Sequence, residues 1–330
     1  MKLIKILSLN LLFTFSLLTA TATAEDFSDK KEVKIFIQQM VKKHQFNESY
    51  LETLFAEAKL YDSILEAIAR PAEGKPWYEY RPIFVTKKRT QGGINFWKKN
   101  AEALTRAEQK YGVPREIIVA IIGVETRYGK HAGKYPVFDA LATLAFGYPP
   151  RATFFKSELE QFLLMTREEK IQAKDLLGSY AGAMGMPQFI SSSFRRYAID
   201  FDGDGKRDLW NNTTDAIGSV ANYFRKHHWK PGQPITHQVQ VHGVRHKNLI
   251  TDSLKPSHTQ LDLLVNGVIL PGNIAEDLKG KLLKLKKPDN PEYWVAWDNF
   301  YVITRYNHSA LYSMAVYQLS QMIKQGYQKE

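Results

Sequence analysis

The chain has 330 residues, 24% of them charged, and no cysteine, which excludes a disulfide framework, a thiolate nucleophile and thiolate metal sites. Its formal net charge of +11 suits an anionic polymer or membrane surface. A nucleic-acid role lacks support, because there is no recognition motif and no dense Lys/Arg tract.

The N-terminus reads as an export leader over residues 1–24. Lys2 and Lys5 give a positive start, Ile6–Leu18 is an apolar stretch too short for a good membrane span, and Ala22-Thr23-Ala24 offers a cleavage site. The chain after Glu25 has no further long apolar run, so stable membrane insertion is not expected. With no cysteine there is also no lipid attachment of the lipobox kind.

Residues 25–112 read as a helical lobe. Val33, Phe36, Ile37, Met40 and Val41 recur at helical spacing, with Asp29 and Glu32 as a capping box. Asn47 is placed to cap the next helix, whose apolar face is Tyr50, Leu51, Leu54, Phe55 and Ala58. Pro71–Pro82 reads as an aromatic and charged loop. A helix follows from about Gly93 to Tyr111 and stops at Gly112.

Residues 113–230 read as the core domain. Pro114 opens a helix on which Ile118, Ile121, Ile122 and Glu125 share one stripe. That spacing puts a carboxyl on the apolar face, where burial and the negative helix end both raise its pKa. A carboxylic acid protonated near neutral pH is a proton donor for glycosidic bond cleavage. The competing expectation is a core-edge glutamate paired with Arg127. Asp139, Glu158 and Glu160 are candidate second acids, the last two more in keeping with a solvated face of the helix Phe154–Met165. Ser179–Phe189 (SYAGAMGMPQF) is a glycine-rich turn carrying Ser179 and Gln188 as polar groups.

Asp200–Asn211 (DFDGDGKRDLWN) follows a calcium-loop pattern. Asp200, Asp202 and Asp204 stand at positions 1, 3 and 5, Gly205 at the turn, Lys206 offers its carbonyl, and Asp208 stands at position 9. Position 12 is Asn211 rather than glutamate, and Asp215 could close the sphere instead. A plain acidic surface turn is the alternative. A helix runs over Thr214–Trp229, with His227-His228 as a surface pair. Residues 231–298 carry short alternating runs, His237–His242 and Leu261–Leu270, that suggest a small β lobe. Residues 299–330 return to helix from about Asn307 to Gln325, stopped by Gly326.

Four segments together resemble the lytic murein transglycosylase B family, the family 103 peptidoglycan-cleaving enzymes. They are IIGVETRYGKHAGKYPVFDALATLAFGYP (Ile121–Pro149), SYAGAMGMPQF (Ser179–Phe189), DFDGDGKRDLWNNTTDAIGSVANYF (Asp200–Phe224) and NFYVITRYNHSALYSMAV (Asn299–Val316). The resemblance implies an α+β, mainly α fold: a lysozyme-like core with a helical lobe and a small β lobe. It implies cleavage of the β-1,4 bond between N-acetylmuramic acid and N-acetylglucosamine, leaving 1,6-anhydromuramyl ends. One glutamate serves as acid and then base, which fits the lack of an obvious second carboxylate.

Carried onto this chain, Glu125 is the catalytic residue. Ser179 and Gln188 meet the muramyl region, and Tyr223, Tyr306, Asn307 and Tyr312 line the groove, with Tyr80 a further groove tyrosine. Arg151 matches the second arginine of a family pair, whose first place Pro150 takes. Asp200, Asp202, Asp204, Lys206 and Asp215 would hold a structural Ca2+. No organic cofactor is implied. Partners are peptidoglycan strands, with other cell-wall enzymes compatible, and nothing demands more than a monomer. Many family members are lipoproteins, so the missing cysteine points to a soluble periplasmic form. The alternatives are a hydrolytic muramidase, which would leave reducing ends, and a non-catalytic peptidoglycan-binding protein.

Overall fold

The computed structural model describes residues 27–69, 74–272 and 274–330. The leader expected over residues 1–24 lies outside them. Helices dominate, and the strands make two small sheets, as the expected fold class requires.

The centre is the helix Arg115–Thr126, in which Ile117 through Ile122 have no solvent exposure. The expected one-sided stripe is therefore a fully enclosed helix. It packs against Lys87–Lys99, Ala101–Tyr111, Thr213–Lys226 and Ala310–Lys329, so every side meets apolar partners. Each buried isoleucine contributes roughly 1.5–3 kcal/mol of transfer free energy. The same core continues through Val137–Gly147 and Ala152–Glu169. Around Phe55 it becomes aromatic, with Phe36, Phe138 and Phe146 in edge contacts.

Two features set the exit of the central helix. Its end is tightened by amides of Arg127 and Tyr128 bonding back to Gly123 and Ile122, with Arg127 at φ 51° and Tyr128 at φ 64°. Such left-handed residues cost of order 1–3 kcal/mol each when they are not glycine. The Tyr128 ring then folds back over Gly123, where an added Cβ would lie 2.6 Å from the hydroxyl oxygen.

The β lobe is a four-stranded antiparallel sheet in the order Val268–Ile269, Thr236–Val241, Glu292–Ala296, Lys281–Leu285. A second, two-stranded pairing joins Tyr135–Pro136 to Leu177–Gly178 and so starts the glycine-rich turn beside the core.

Several local expectations give way to packing. Lys31–His44 forms without the Asp29/Glu32 capping box; Lys30 is its N-cap and offers no side-chain bond. Asn47 does cap its helix, accepting from the Tyr50 amide at 2.8 Å. The expected loop Pro71–Pro82 contains a helix, Trp77–Phe84, despite Pro82 inside it. Trp77 is 2% exposed and donates its indole N–H to Glu292 on the sheet at 2.9 Å, so tertiary burial outweighs the proline. The single helix expected from Gly93 to Tyr111 is two, parted at Asn100, whose side-chain amide bonds back to the Phe96 carbonyl.

Leu261–Leu270 is not one strand. Thr259 and Asp262 form a reciprocal capping box that starts the helix Gln260–Val265. A further helix, Asp298–Tyr306, precedes the last one. Gly326 does not end the C-terminal helix, which runs to Lys329; an added Cβ there would lie 2.4 Å from Ile94, so the glycine admits a close helix approach. Of the expected surface pair, His228 is exposed, while His227 is half-buried: it packs on Tyr223 at 4.3 Å, and burial pushes its pKa down to about 4.

The Gly123 contact gives a direct check. Gly123→Ala should lower stability in chemical denaturation by about 1–3 kcal/mol, because the Tyr128 ring fills the space a methyl would need. An unchanged midpoint would contradict that packing.

Candidate active site

Glu125 occupies the last turn of the central helix, where the enclosed segment reaches the surface of the core. The residue keeps a partly accessible edge, while its carboxyl is surrounded by protein atoms. Burial raises its pKa to about 7, against a downward pull from the Tyr312 hydroxyl. That hydroxyl donates to Glu125 Oε1 at 2.5 Å. Burial is the larger of the two effects, so the acid remains protonated near neutrality. Arg127 is exposed, and burial and Tyr312 are the effects that shift the Glu125 carboxyl.

Tyr312 is 3% exposed and stands in the first turn of Ala310–Lys329, where Ser309 caps the helix by accepting the Tyr312 amide. Burial, and the Glu125 charge nearby, push the Tyr312 hydroxyl's pKa up. A neutral phenol at this place can only donate to the carboxylate or accept from the acid, which leaves the proton on Glu125 as the titrating one.

The glycine-rich turn closes the site from another side. Thr126, the residue after Glu125, donates its hydroxyl to the Met186 carbonyl at 2.9 Å and accepts the Gly129 amide at 2.9 Å. Gly185 adopts φ 66°, and an added Cβ would meet the Leu209 carbonyl at 2.5 Å, so the turn passes too close for a side chain. Gln188, at φ 53°, donates its side-chain amide to the carbonyls of Ala132 and Gly185, both at 3.0 Å. This fixes its amide plane. Ser179 accepts the amides of Ala181 and Ala183 with its hydroxyl, at 3.3 and 3.0 Å, so it builds the turn as well as facing it.

Tyr306 donates its hydroxyl to the Pro187 carbonyl at 2.6 Å, next to Gln188, and is close enough to Glu125 to feel its charge. Tyr223 stacks obliquely on Tyr306 at 4.8 Å and donates to the Arg305 carbonyl at 2.5 Å. Tyr80, on the helix Trp77–Phe84, interacts electrostatically with Tyr312. Asn307 is exposed at the end of Asp298–Tyr306. The sequence-derived set Glu125, Tyr312, Tyr306, Tyr223, Gln188 and Tyr80 is thus linked by contacts. Arg151 is not tied into that network; its guanidinium lies over Phe154 and Phe155 at 4.5 and 5.1 Å.

The candidate second acids separate. Glu158 is buried, contrary to its expected solvated face, and accepts the Ser192 amide at 3.0 Å. Glu160 pairs with Lys43 and His44. Asp139 is half-buried with a pKa raised to about 6 by that burial, but its charged neighbour is Lys59. Sequence reasoning missed Thr126 and the Tyr128 turn. Thr126 follows the acid directly, yet its part depends on a carbonyl 60 residues away.

In the acidic loop, carboxylate oxygens of Asp200, Asp202 and Asp204 lie within 4.8 Å of one another. Three like charges on oxygen donors fit a hard cation. Asp200 also accepts the amides of Gly203 and Gly205, at 2.6 and 2.8 Å, so the turn is shaped around it. The Lys206 amide bonds to Asp204. Asp215 is apart from the trio: fully buried, it accepts the Phe201 and Asp208 amides at 2.7 and 2.9 Å and ties the two ends of the loop to its helix.

A lysozyme-like helical core in which a glutamate with a raised pKa meets a cluster of tyrosines, with an acidic loop beside it, defines a class of glycan-cleaving enzyme. The sequence pattern of the transglycosylase SLT domain matches residues 28–321, and the chain belongs to that family. Membrane-bound lytic murein transglycosylase B of Escherichia coli (strain K12) is 43% identical over 308 residues, covering 90% of this chain and 84% of that protein. The catenated form of lytic transglycosylase SltB1 from Pseudomonas aeruginosa is 47% identical with a TM-score of 0.88, over 92% of this chain and all of that one. E. coli lytic transglycosylase Slt35 in complex with calcium is 42% identical with a TM-score of 0.85, over 92% and 95% of the two chains. P. aeruginosa SltB3 in complex with NAG-NAM-pentapeptide is 30% identical with a TM-score of 0.80, over 90% and 79%. The resemblance seen in the four sequence segments is borne out, and the chain is a lytic transglycosylase.

The Glu125 environment has a consequence for stability. The unfolded chain loses this proton near pH 4.5, whereas the native protein holds it to about pH 7. The native state is therefore favoured at low pH and loses that advantage as pH rises through this window, by about 3 kcal/mol in all. Glu125→Gln should abolish this term, so its melting temperature should exceed that of the wild type at pH 8 and match it more closely at pH 4.5. Equal differences at both pH values would contradict the buried acid.

Proposed function

We propose that this protein cleaves the β-1,4 bond between N-acetylmuramic acid and N-acetylglucosamine in murein and leaves 1,6-anhydromuramyl ends. The observation that carries the proposal is the enclosed Glu125 carboxyl, bonded by Tyr312 and protonated up to about pH 7. The name of the E. coli relative, a murein transglycosylase, supports the substrate class.

In the first step Glu125 gives its proton to the glycosidic oxygen as the C1–O bond breaks, and the N-acetylglucosamine end departs as an alcohol. The cationic muramyl centre is stabilised by its own acetamide. Glu125, now a carboxylate, takes the proton from the muramyl C6 hydroxyl, whose oxygen bonds to C1. Bonds and protons balance without water, and one carboxyl suffices. Tyr312 steadies the carboxylate between the steps. Gln188 and Ser179, set by the glycine-rich turn, meet the muramyl acetamide region. Tyr306, Tyr223, Asn307 and Tyr80 form the aromatic and polar groove walls, and Arg151 meets a substrate carboxylate further out. The enzyme acts as a soluble periplasmic protein; among the described residues no helix is long and apolar enough to cross a membrane.

Asp200, Asp202 and Asp204, with the Lys206 carbonyl, would hold Ca2+, and Asp215 acts as the anchor behind them. The ion would neutralise three carboxylates on a loop that packs beneath the glycine-rich turn through Leu209. Its contribution is structural. The calcium complex of the related Slt35 supports this assignment.

Two measurements test these assignments. Digestion of purified murein should give anhydro ends, and Glu125→Gln should lower turnover by about 10²–10⁴-fold, the range of general acid–base catalysis. Reducing ends would make the enzyme a hydrolase, and full turnover in the variant would remove Glu125 from the chemistry. In parallel, chelation should lower the melting temperature by several degrees, since a ligand at about 100 times its Kd adds about 2.7 kcal/mol. An unchanged melting curve would leave the acidic loop without a metal role.

A further inference from the structure

Behind the turn that follows Glu125 lies a recess of about 420 Å³. One wall is the segment Arg127–His131. The other is the end of the Tyr80 helix and the start of Lys87–Lys99. Lys88, Arg89, Arg127, Lys130 and His131 line it, and no carboxylate is among its described lining residues.

The charges are uncompensated within the protein. Among the described residues, none of Lys88, Arg89, Arg127 and Lys130 pairs with a carboxylate. Arg89 is only 9% exposed, and its Nη1 is buried with no hydrogen-bond partner. Burial and the charge of Arg127 both lower its pKa, the signature of a cation held against its preference. Its main-chain carbonyl accepts the Tyr128 hydroxyl, but that bond does not involve the guanidinium.

Helix dipoles do not account for this arrangement. Arg127 follows the C-terminal end of the central helix, where a cation is favoured. Lys87, Lys88 and Arg89, however, fill the first turn of their helix, which contains no acidic residue. That end is positive and favours an anion. The start of that helix, a buried guanidinium that lies over the Phe84 ring at 5.1 Å but leaves its Nη1 without a hydrogen bond, and three further cations line one small space. Thr86 already caps this helix by accepting the Arg89 amide at 3.1 Å, so a planar carboxylate here would draw on the Arg89 guanidinium and the surrounding cationic charge.

We propose that this recess binds a carboxylate of the peptide stem carried by the glycan strand. The proposal rests on the murein assignment above. Two connections favour the stem over a free anion. The His131 amide bonds to the Thr126 carbonyl, and the next residue, Ala132, accepts the Gln188 side chain, so one short segment runs from the recess to the sugar-binding turn. Pro82 and Ile83 at its rim extend the helix that carries Tyr80. These connections set the cations beside the segment that carries Glu125 and beside the helix that carries Tyr80. A stem carries its carboxylates several bonds out from the sugar, whereas a strand stripped of stems keeps only the lactyl carboxylate, held close against the muramyl ring.

The test compares murein strands with intact stems against strands stripped of stems by an amidase. The variants are Arg89→Gln and the exposed double charge reversal Lys88→Glu/Lys130→Glu. The wild type should show a KM on stem-bearing strands about tenfold below that on stripped strands, as one charge-assisted bidentate contact allows. Both variants should erase that difference by raising KM on stem-bearing strands, with kcat within about twofold and turnover of stripped strands unchanged. The exposed double variant keeps the test valid if Arg89→Gln folds poorly. Retained stem preference in the double variant, or equal losses on both substrates, would overturn the proposal. Inorganic phosphate that protects the protein thermally but leaves stem preference untouched would likewise overturn it, marking the recess as a site for a free anion. A wild type that leaves no anhydro ends on either substrate would instead defeat the murein assignment itself.

Discussion

The structure depends on one opposition of forces at Glu125. Enclosure by the core raises the cost of its charge, while the Tyr312 hydroxyl lowers that cost by hydrogen bonding. Neither acts alone. With burial only, the acid would hold its proton too firmly to give it up readily. With the hydrogen bond only, it would have given the proton up well below neutrality. In the mechanism proposed above, the balance near pH 7 is what would let a single carboxyl donate and then accept.

Much of the fold serves that balance. The central helix is enclosed on all sides, so its last turn sets the Glu125 carboxyl in dry surroundings. The left-handed residues Arg127 and Tyr128 stop the helix at once and turn the chain back over Gly123. Thr126 joins that stop to the glycine-rich turn, and the C-terminal helix brings Tyr312 from 187 residues away. Strain in the turn and desolvation of the acid are costs carried by the large apolar core.

Features written in local pattern were legible in the sequence. The isoleucine-rich helix ending in Glu125 shows a buried acid by spacing alone, and the Asp200–Asp204 run shows oxygen donors at calcium-loop intervals. Tyr306 and Gln188 entered the candidate site through family resemblance, because single tyrosines and glutamines carry no local signal. Other features have no local trace. Glu158 looks solvated by its neighbours in sequence but caps a distant helix. Trp77–Phe84 forms despite its internal Pro82 because the sheet covers Trp77. Gly326 reads as a stop yet permits contact with Ile94. In each case a partner far along the chain outweighs propensity.

The most direct measurement is the titration of Glu125 itself, followed by the ¹³C shift of its side-chain carboxyl in labelled protein, with Glu125→Gln to assign the signal. The account predicts a midpoint near pH 7, moving upward in Tyr312→Phe as the hydroxyl's downward pull is removed. A midpoint at the ordinary value for glutamate, unmoved by that substitution, would contradict it.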